Sequence, residues 1–427
     1  MAVSFTNGPE RISGLPGFGQ EILSVNLSWM RRSLNILLTV HYEFNPNAGA
    51  AGVIWNLGQE YQKLGHQVQY YSLDDLPHWL PGLAKTIMFP EFVAHHIWNL
   101  SNKQAVHVVD ASTGDTWVWA KILQRFAGSR PILVARDHGL RHIEHLEFLE
   151  DVKCGNRSLS WKYPLYRGSY KLWEEANSLR TADLVLLLSH RAADYAVDRL
   201  GVQPEQTRMI ANGIPESFLN LPFEPTPTAD DDVIRIAQVS TYIPRKGIRY
   251  GSPALNRILA RYPQVQVSFL GTDCSECPNP NTVYADFDPI VRDRIKVIPR
   301  YRHETLPTLL KGHQIKILPS TSEGFGIALV EAMACGLAPV TTATPGPMAI
   351  VRDGDDAIVV PPRDSEAIEQ AIERLIRDRA YLNQLRRNAY ATAQNYSWTR
   401  IARDTLAFYE DALRLKNQNH HPQSYTA

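Results

Sequence analysis

Cysteine is scarce in this chain. There are four in 427 residues, too few for the disulfide framework of a small secreted scaffold. With no leader-like segment at the amino end, they are expected to sit in a reducing compartment, which places the protein in the cytoplasm. Cys274-Ser-Glu-Cys277 is a lone C-x-x-C without a second pair, and it reads as part of a polar insertion loop ending near Asp286 rather than as a zinc or redox centre. Long apolar runs are missing as well. The longest, such as Leu184 to Leu188, have the length of a strand, far below the ~18 residues of a membrane helix. Any membrane contact is therefore expected to be peripheral, at the inner face. Net charge is also absent, since 44 Lys+Arg balance 44 Asp+Glu, and this argues against nucleic acid as the main partner.

What the chain does have is 44% hydrophobic residues, enough for two or three globular domains, and a repeated alternation of short apolar runs with helix-forming stretches. That alternation predicts an α/β protein with parallel, doubly wound sheets. Residues 1–33 are polar and glycine-punctuated and read as an extension. The alternation runs from 34 to 220 and breaks at a Pro- and Asp-rich linker, 221–232. It restarts over 233–395, and residues 396–415 read as a last amphipathic helix before a polar tail, 416–427, expected to be disordered.

The most informative stretch runs from Pro319 through Gly336. An apolar run, Ile315 to Leu318, leads into Ser-Thr-Ser-Glu323-Gly324-Phe325-Gly326, then into helix formers carrying Glu331, and then to a second apolar run after Gly336. This is one βαβ unit whose glycines let backbone approach a ligand at a helix N-terminus, where an anion is favoured. Carboxylates beside an anion are better explained as acceptors for hydroxyl groups flanking a phosphate. By pattern alone, Glu323 as a helix cap and Glu331 as a solvated helix position fit equally well. A second strand, Asn35 to His41, precedes another glycine loop containing Gly49 and a helix predicted over 53–64. Another helix is predicted near 115–126. A third strand, Pro131 to Arg136, delivers Asp137-His138-Gly139 at its carboxyl end, where doubly wound sheets bind ligands. A fourth, Val233 to Val239, ends in a loop bearing Arg245 and Lys246, two cations suited to a phosphate.

Glu323 and Glu331, with seven residues between them, Gly-Phe-Gly inside and Gly-Leu-Ala-Pro-Val after, resemble the E-x7-E signature of the family-4 retaining glycosyltransferases. The resemblance covers roughly residues 34 to 415 and implies the GT-B fold, two Rossmann-like domains facing a central cleft. It implies an acceptor-side amino-terminal domain and a carboxyl-terminal domain that binds the nucleotide-sugar, with the last helix returning to the former. Carried over on this basis, Gly49 faces the donor diphosphate and His138 contacts the donor sugar. Lys246, with Arg245, meets the phosphates, while Gly324, Phe325 and Gly326 line the donor loop. Glu323 accepts from the sugar and Glu331 from the ribose, and Arg300 lies where the base is received. The resemblance further implies a UDP- or GDP-sugar donor, a hydroxyl acceptor (saccharide, lipid or small molecule), no resident cofactor and no metal. Two positions depart from the pattern. Thr241 stands where the family has a phosphate-binding arginine, and Pro215 replaces an acid. Alternatives are a non-catalytic subunit that only binds sugar nucleotides, or another GT-B enzyme such as a phosphorylase or an epimerase.

Overall fold

The computed structural model describes residues 33–46, 49–128, 130–224 and 233–420. Residues 1–32 of the amino-terminal extension, residues 225–232 of the linker and the last seven residues lie outside the described residues, as do the expectations for them. Among the described residues, twelve strands form two all-parallel sheets. The first contains β1 (Asn35–Val40), β2 (Gln67–Ser72), β3 (Val108–Ser112), β4 (Ile132–Arg136), β5 (Leu184–Leu187) and β6 (Thr207–Met209), in the order β2-β1-β3-β4-β5-β6. The second contains β7 (Ile234–Val239), β8 (Val265–Leu270), β9 (Ile295–Ile298), β10 (Ile315–Leu318), β11 (Ala338–Thr342) and β12 (Ile358–Val360), in the order β12-β11-β10-β7-β8-β9. Among the described residues, no helix is long and apolar enough to cross a membrane.

The central strands β3, β4, β5 and β10 are buried along their whole length. Parallel sheets are covered by helices on both faces, so their strands read as continuous apolar runs. Each sheet reverses its strand order once, between β1 and β3 in the first and between β7 and β10 in the second. Crevices open at such reversals beyond the carboxyl ends of the strands. The loops singled out from the sequence leave β1, β4, β7 and β10, on or beside these two reversals.

Two of the ties between the halves bear on the site. The last helix, Trp398–His420, leaves the second half and joins the core of the first, where Ile401, Leu406 and Tyr409 are buried with Ile36, Leu38 and Ile54. Tyr61 and Tyr409 meet edge to face at 6.0 Å between ring centres, and Thr399 Oγ1 donates to Glu60 at 2.8 Å. This helix runs past the expected end at residue 415, because Lys416 donates to Pro131 O at 2.9 Å and to Asp183 at 2.8 Å and so anchors its last turns. The second tie is a buried cluster. Asp151, near the end of the helix Arg141–Lys153, accepts from Arg363 at 2.6 Å and from Thr321 Oγ1 at 3.1 Å.

Three further expectations differ from the structure. The helix predicted over 53–64 spans Gly49–Lys63, so Gly49 is its first residue rather than part of a preceding loop. The stretch near 115–126 forms a wide-turned segment, Trp119–Leu123, and a short tight turn rather than a regular helix. The insert before Asp286 is not a bare loop. It contains the helix Pro280–Ala285 and buries Cys277 and Val283, with Phe287 just beyond it, in the core of the second half.

Candidate active site

The loop after β10 is held in shape by its own backbone demands. Gly247 has φ +73°, and a Cβ there would stand 1.8 Å from Pro319 O, so the β7 and β10 loops touch at a point that only glycine allows. Thr321 N donates to Arg245 O at 3.0 Å, and Gly346 N donates to Glu323 O at 3.0 Å. Gly326, at φ +102°, turns the chain into the helix Ile327–Ala334. Leu329 N already donates to Gly326 O at 2.8 Å, and the N–H groups of Ile327 and Ala328 come before the helical ladder, which makes this end a place for an anion.

The loops bring Lys246 and Glu323 together. Lys246 Nζ lies 2.6 Å from Glu323 Oε2, and Ser320 Oγ donates to the same oxygen at 3.3 Å. Burial alone would raise the Glu323 pKa, but Lys246 and Arg245 hold it below the usual carboxylate range. Arg245 reaches Ser322 O at 3.5 Å, so it sits at this loop rather than in open water. Thr241 lies within the same β7 loop. Glu331 is 4% exposed and meets His303 Nε2 at 2.6 Å, a partnership that raises the histidine pKa. Phe325 is buried and packs near Tyr396.

From the other half, the turn after β4 meets this loop directly. A Cβ on Gly324 would lie 2.9 Å from Gly139 Cα and 3.0 Å from His138 O, so the two halves touch glycine to glycine. Both ring nitrogens of His138 are shielded from solvent and have no hydrogen-bond partner, and burial pushes its pKa down to about 3. A neutral, unpartnered imidazole here is ready to bond a ligand hydroxyl. Asp137, which accepts from Gly139 N at 2.7 Å, is pushed up to about 7 by burial. A Cβ on Gly49 would meet nothing within 4 Å among the described residues. Arg300 is not brought into this group. Its side chain is 82% exposed and pairs with Asp273 at 2.7 Å.

Several site-lining groups escaped sequence reasoning. His41 Nδ1 meets Asp115 at 2.9 Å, and Arg141 donates to His41 Nε2, so the imidazole must carry its proton on Nδ1. Glu175, fully buried, accepts from Thr113 Oγ1 at 2.8 Å and meets His142 Nδ1 at 2.7 Å. Glu144, raised by burial, feels Arg245 and Glu323 from the second half and Arg141 and Glu175 from its own half. The only sequence signal for Arg141, His142 and Glu144 was their place just after the His138 turn.

Lys316 is the least expected. It lies in mid-β10, 0% exposed, with one long bond of 3.5 Å to Val239 O. Burial pushes its pKa down to about 7, and Lys246 adds to the effect while Glu323 and Glu331 oppose it. Below about pH 7 the lysine is charged in both the folded and unfolded chain, and the fold carries the whole cost of a buried ammonium. As pH rises toward 10.5 that cost fades, because the folded form is already neutral. Lys316→Met should therefore raise stability by on the order of 3 kcal/mol near pH 6, with the gain shrinking toward pH 10. Thermal melts of both proteins across this range check it, and a gain that does not change with pH would contradict it.

Known proteins resemble this chain in both sequence and fold. Residues 48–218 match the family described as Glycosyltransferase Family 4, and residues 224–392 match Glycosyl transferases group 1. The chain is 32% identical over 123 residues to D-inositol 3-phosphate glycosyltransferase of Salinispora tropica, covering 29% of this chain and 26% of that one. It is 28% identical over 259 residues to MMP alpha-(1->4)-mannosyltransferase of Mycolicibacterium hassiacum, covering 59% of this chain and 60% of that one. The matched segments thus span about a quarter and about three fifths of the length of these relatives. In fold, the chain is similar to sucrose-phosphate synthase from Thermosynechococcus elongatus, with a TM-score of 0.70 at 19% identity over 90% of this chain and 100% of that one. It is also similar to Anabaena HepE in complex with UDP and glucose, with a TM-score of 0.63 at 20% identity over 88% and 99% of the two chains. The chain belongs to the family-4, group 1 glycosyltransferases and has their GT-B fold.

Proposed function

We propose that this protein transfers a sugar, with retention of anomeric configuration, from a nucleotide-diphosphate sugar to a hydroxyl acceptor. The observation that carries this reading is the Lys246–Glu323 pair beside a glycine-lined helix end, closed over by the His138–Gly139 turn. A departing diphosphate needs positive charge where its own charge develops. Lys246, Arg245 and the N-terminus of the helix Ile327–Ala334 supply it, so no divalent cation is required. Glu323 and His138 bond the sugar hydroxyls, and Glu331 bonds the ribose. Attack on the same face as departure lets the leaving phosphate take the acceptor proton, and no enzymic nucleophile is needed. Contact between the halves excludes water that would otherwise hydrolyse the donor. The HepE complexes with UDP and UDP-glucose support a nucleotide-sugar donor, and the relative named for D-inositol 3-phosphate supports a hydroxyl acceptor.

Incubation with UDP-, GDP- and ADP-sugars, with products resolved by chromatography, tests the reading. Transfer or slow donor hydrolysis is expected. Thr241 favours a second reading, a subunit that binds the nucleotide without turnover, and binding without any product would establish that one instead. Glu331→Ala should weaken nucleotide binding by about 1–3 kcal/mol, the range for an unmade bond to a buried polar group. Calorimetric titration measures it, and an unchanged affinity would remove Glu331 from the site.

A further inference from the structure

Between Val152 and Trp173 the chain carries five basic residues, Lys153, Arg157, Lys162, Arg167 and Lys171, and no acidic one. The first four are exposed. Lys153 pairs along its helix with Glu150, and the buried Lys171 pairs with Glu174. The same stretch holds Trp161 at 75% exposure and Leu165 at 68%. These belong to a larger face. Lys171 Nζ sits 5.5 Å over the Tyr166 ring and donates to Thr86 O at 3.1 Å, which sets the helix Gly82–Ser101 beside this segment. Leu83, one turn before Thr86 and on the same side of its helix, is 67% exposed, and nearby Trp79 is 79% exposed. Trp161 and Leu165 thus stand exposed in a stretch whose own charges are all positive, while the exposed Asp74 and Asp75 precede Trp79 and Glu91 acts on Tyr170 from the neighbouring helix.

We propose that this face docks the protein on an anionic lipid bilayer. Tryptophan and leucine enter the headgroup boundary, and the surrounding lysines and arginines meet anionic headgroups. A protein partner would be expected to cover such apolar groups with a less uniform charge, whereas a bilayer of one sign matches Arg157, Lys162 and Arg167, exposed cations in a stretch without an acid. Docking does not depend on sugar transfer.

Flotation with vesicles of phosphatidylcholine, alone or containing phosphatidylglycerol, tests it. Wild type should float with the anionic vesicles only, and raised salt should weaken the binding. Lys162→Glu with Arg167→Glu should lower binding by at least on the order of ten-fold, at about five-fold per cation near the surface. Trp161→Ala with Leu165→Ala should lower it comparably. Both variants should keep the wild-type melting temperature, which separates lost docking from lost folding. Equal binding to neutral vesicles, no flotation, or a self-associated form that the same substitutions dissolve would overturn the proposal.

Discussion

Lys246→Ala should lower kcat by about two to three orders of magnitude, the effect of removing one donor aimed at developing charge. Lys246 Nζ lies against Glu323 at 2.6 Å, and Arg245, held at Ser322 O, is the remaining side-chain cation of the loop. Thr241 makes this dependence sharper, because the position that would share the load carries no charge. Lys246→Arg should recover part of the rate, since a guanidinium restores the charge without the compact geometry of an ammonium. Steady-state kinetics with a melting curve for each variant checks this. A rate unchanged in a folded alanine variant would remove Lys246 from the chemistry.

Gly324→Ala is expected to lower kcat/KM by about ten- to a hundred-fold with little change in melting temperature. Its added methyl would meet backbone, Gly139 Cα at 2.9 Å and His138 O at 3.0 Å, with no flexible side chain to move aside. The loops of the two halves would have to separate, and a small misplacement between reacting groups is enough for such a loss. The backbone at Gly324 is not left-handed, so the methyl strains no dihedral and its cost falls on the contact between the halves. Gly247→Ala is the contrasting control, because strain and a 1.8 Å approach to Pro319 O should destabilise the second half. Equal activity of Gly324→Ala and wild type would show that the contact between halves plays no part in turnover.

The sheets and the principal loops were legible because their signals are local. A buried parallel strand announces itself as an apolar run, and a glycine-rich turn into helix formers marks a strand end such as Leu318 to Gly326. The partners that tie the halves were not legible. Asp151 finds Thr321 and Arg363 across 170 and 212 residues of sequence, and nothing beside any of these residues indicates the others. Lys316 was hidden for a different reason. Its neighbours Ile315, Ile317 and Leu318 established the strand, but alternation does not say that a lysine amine stays inside. The insert before Asp286 read as polar because its buried residues, Cys277 and Val283, are scattered rather than periodic. Arg300 followed the family pattern by position, while its side chain turned to Asp273.

The most direct test of the donor site is a crystal structure with a nucleotide-diphosphate sugar bound. The diphosphate is expected between Lys246 and the first turn of the helix Ile327–Ala334, the ribose on Glu331, and the sugar between Glu323 and His138. A donor bound away from the crevice between the halves, or bound there with its diphosphate remote from Lys246, would contradict it.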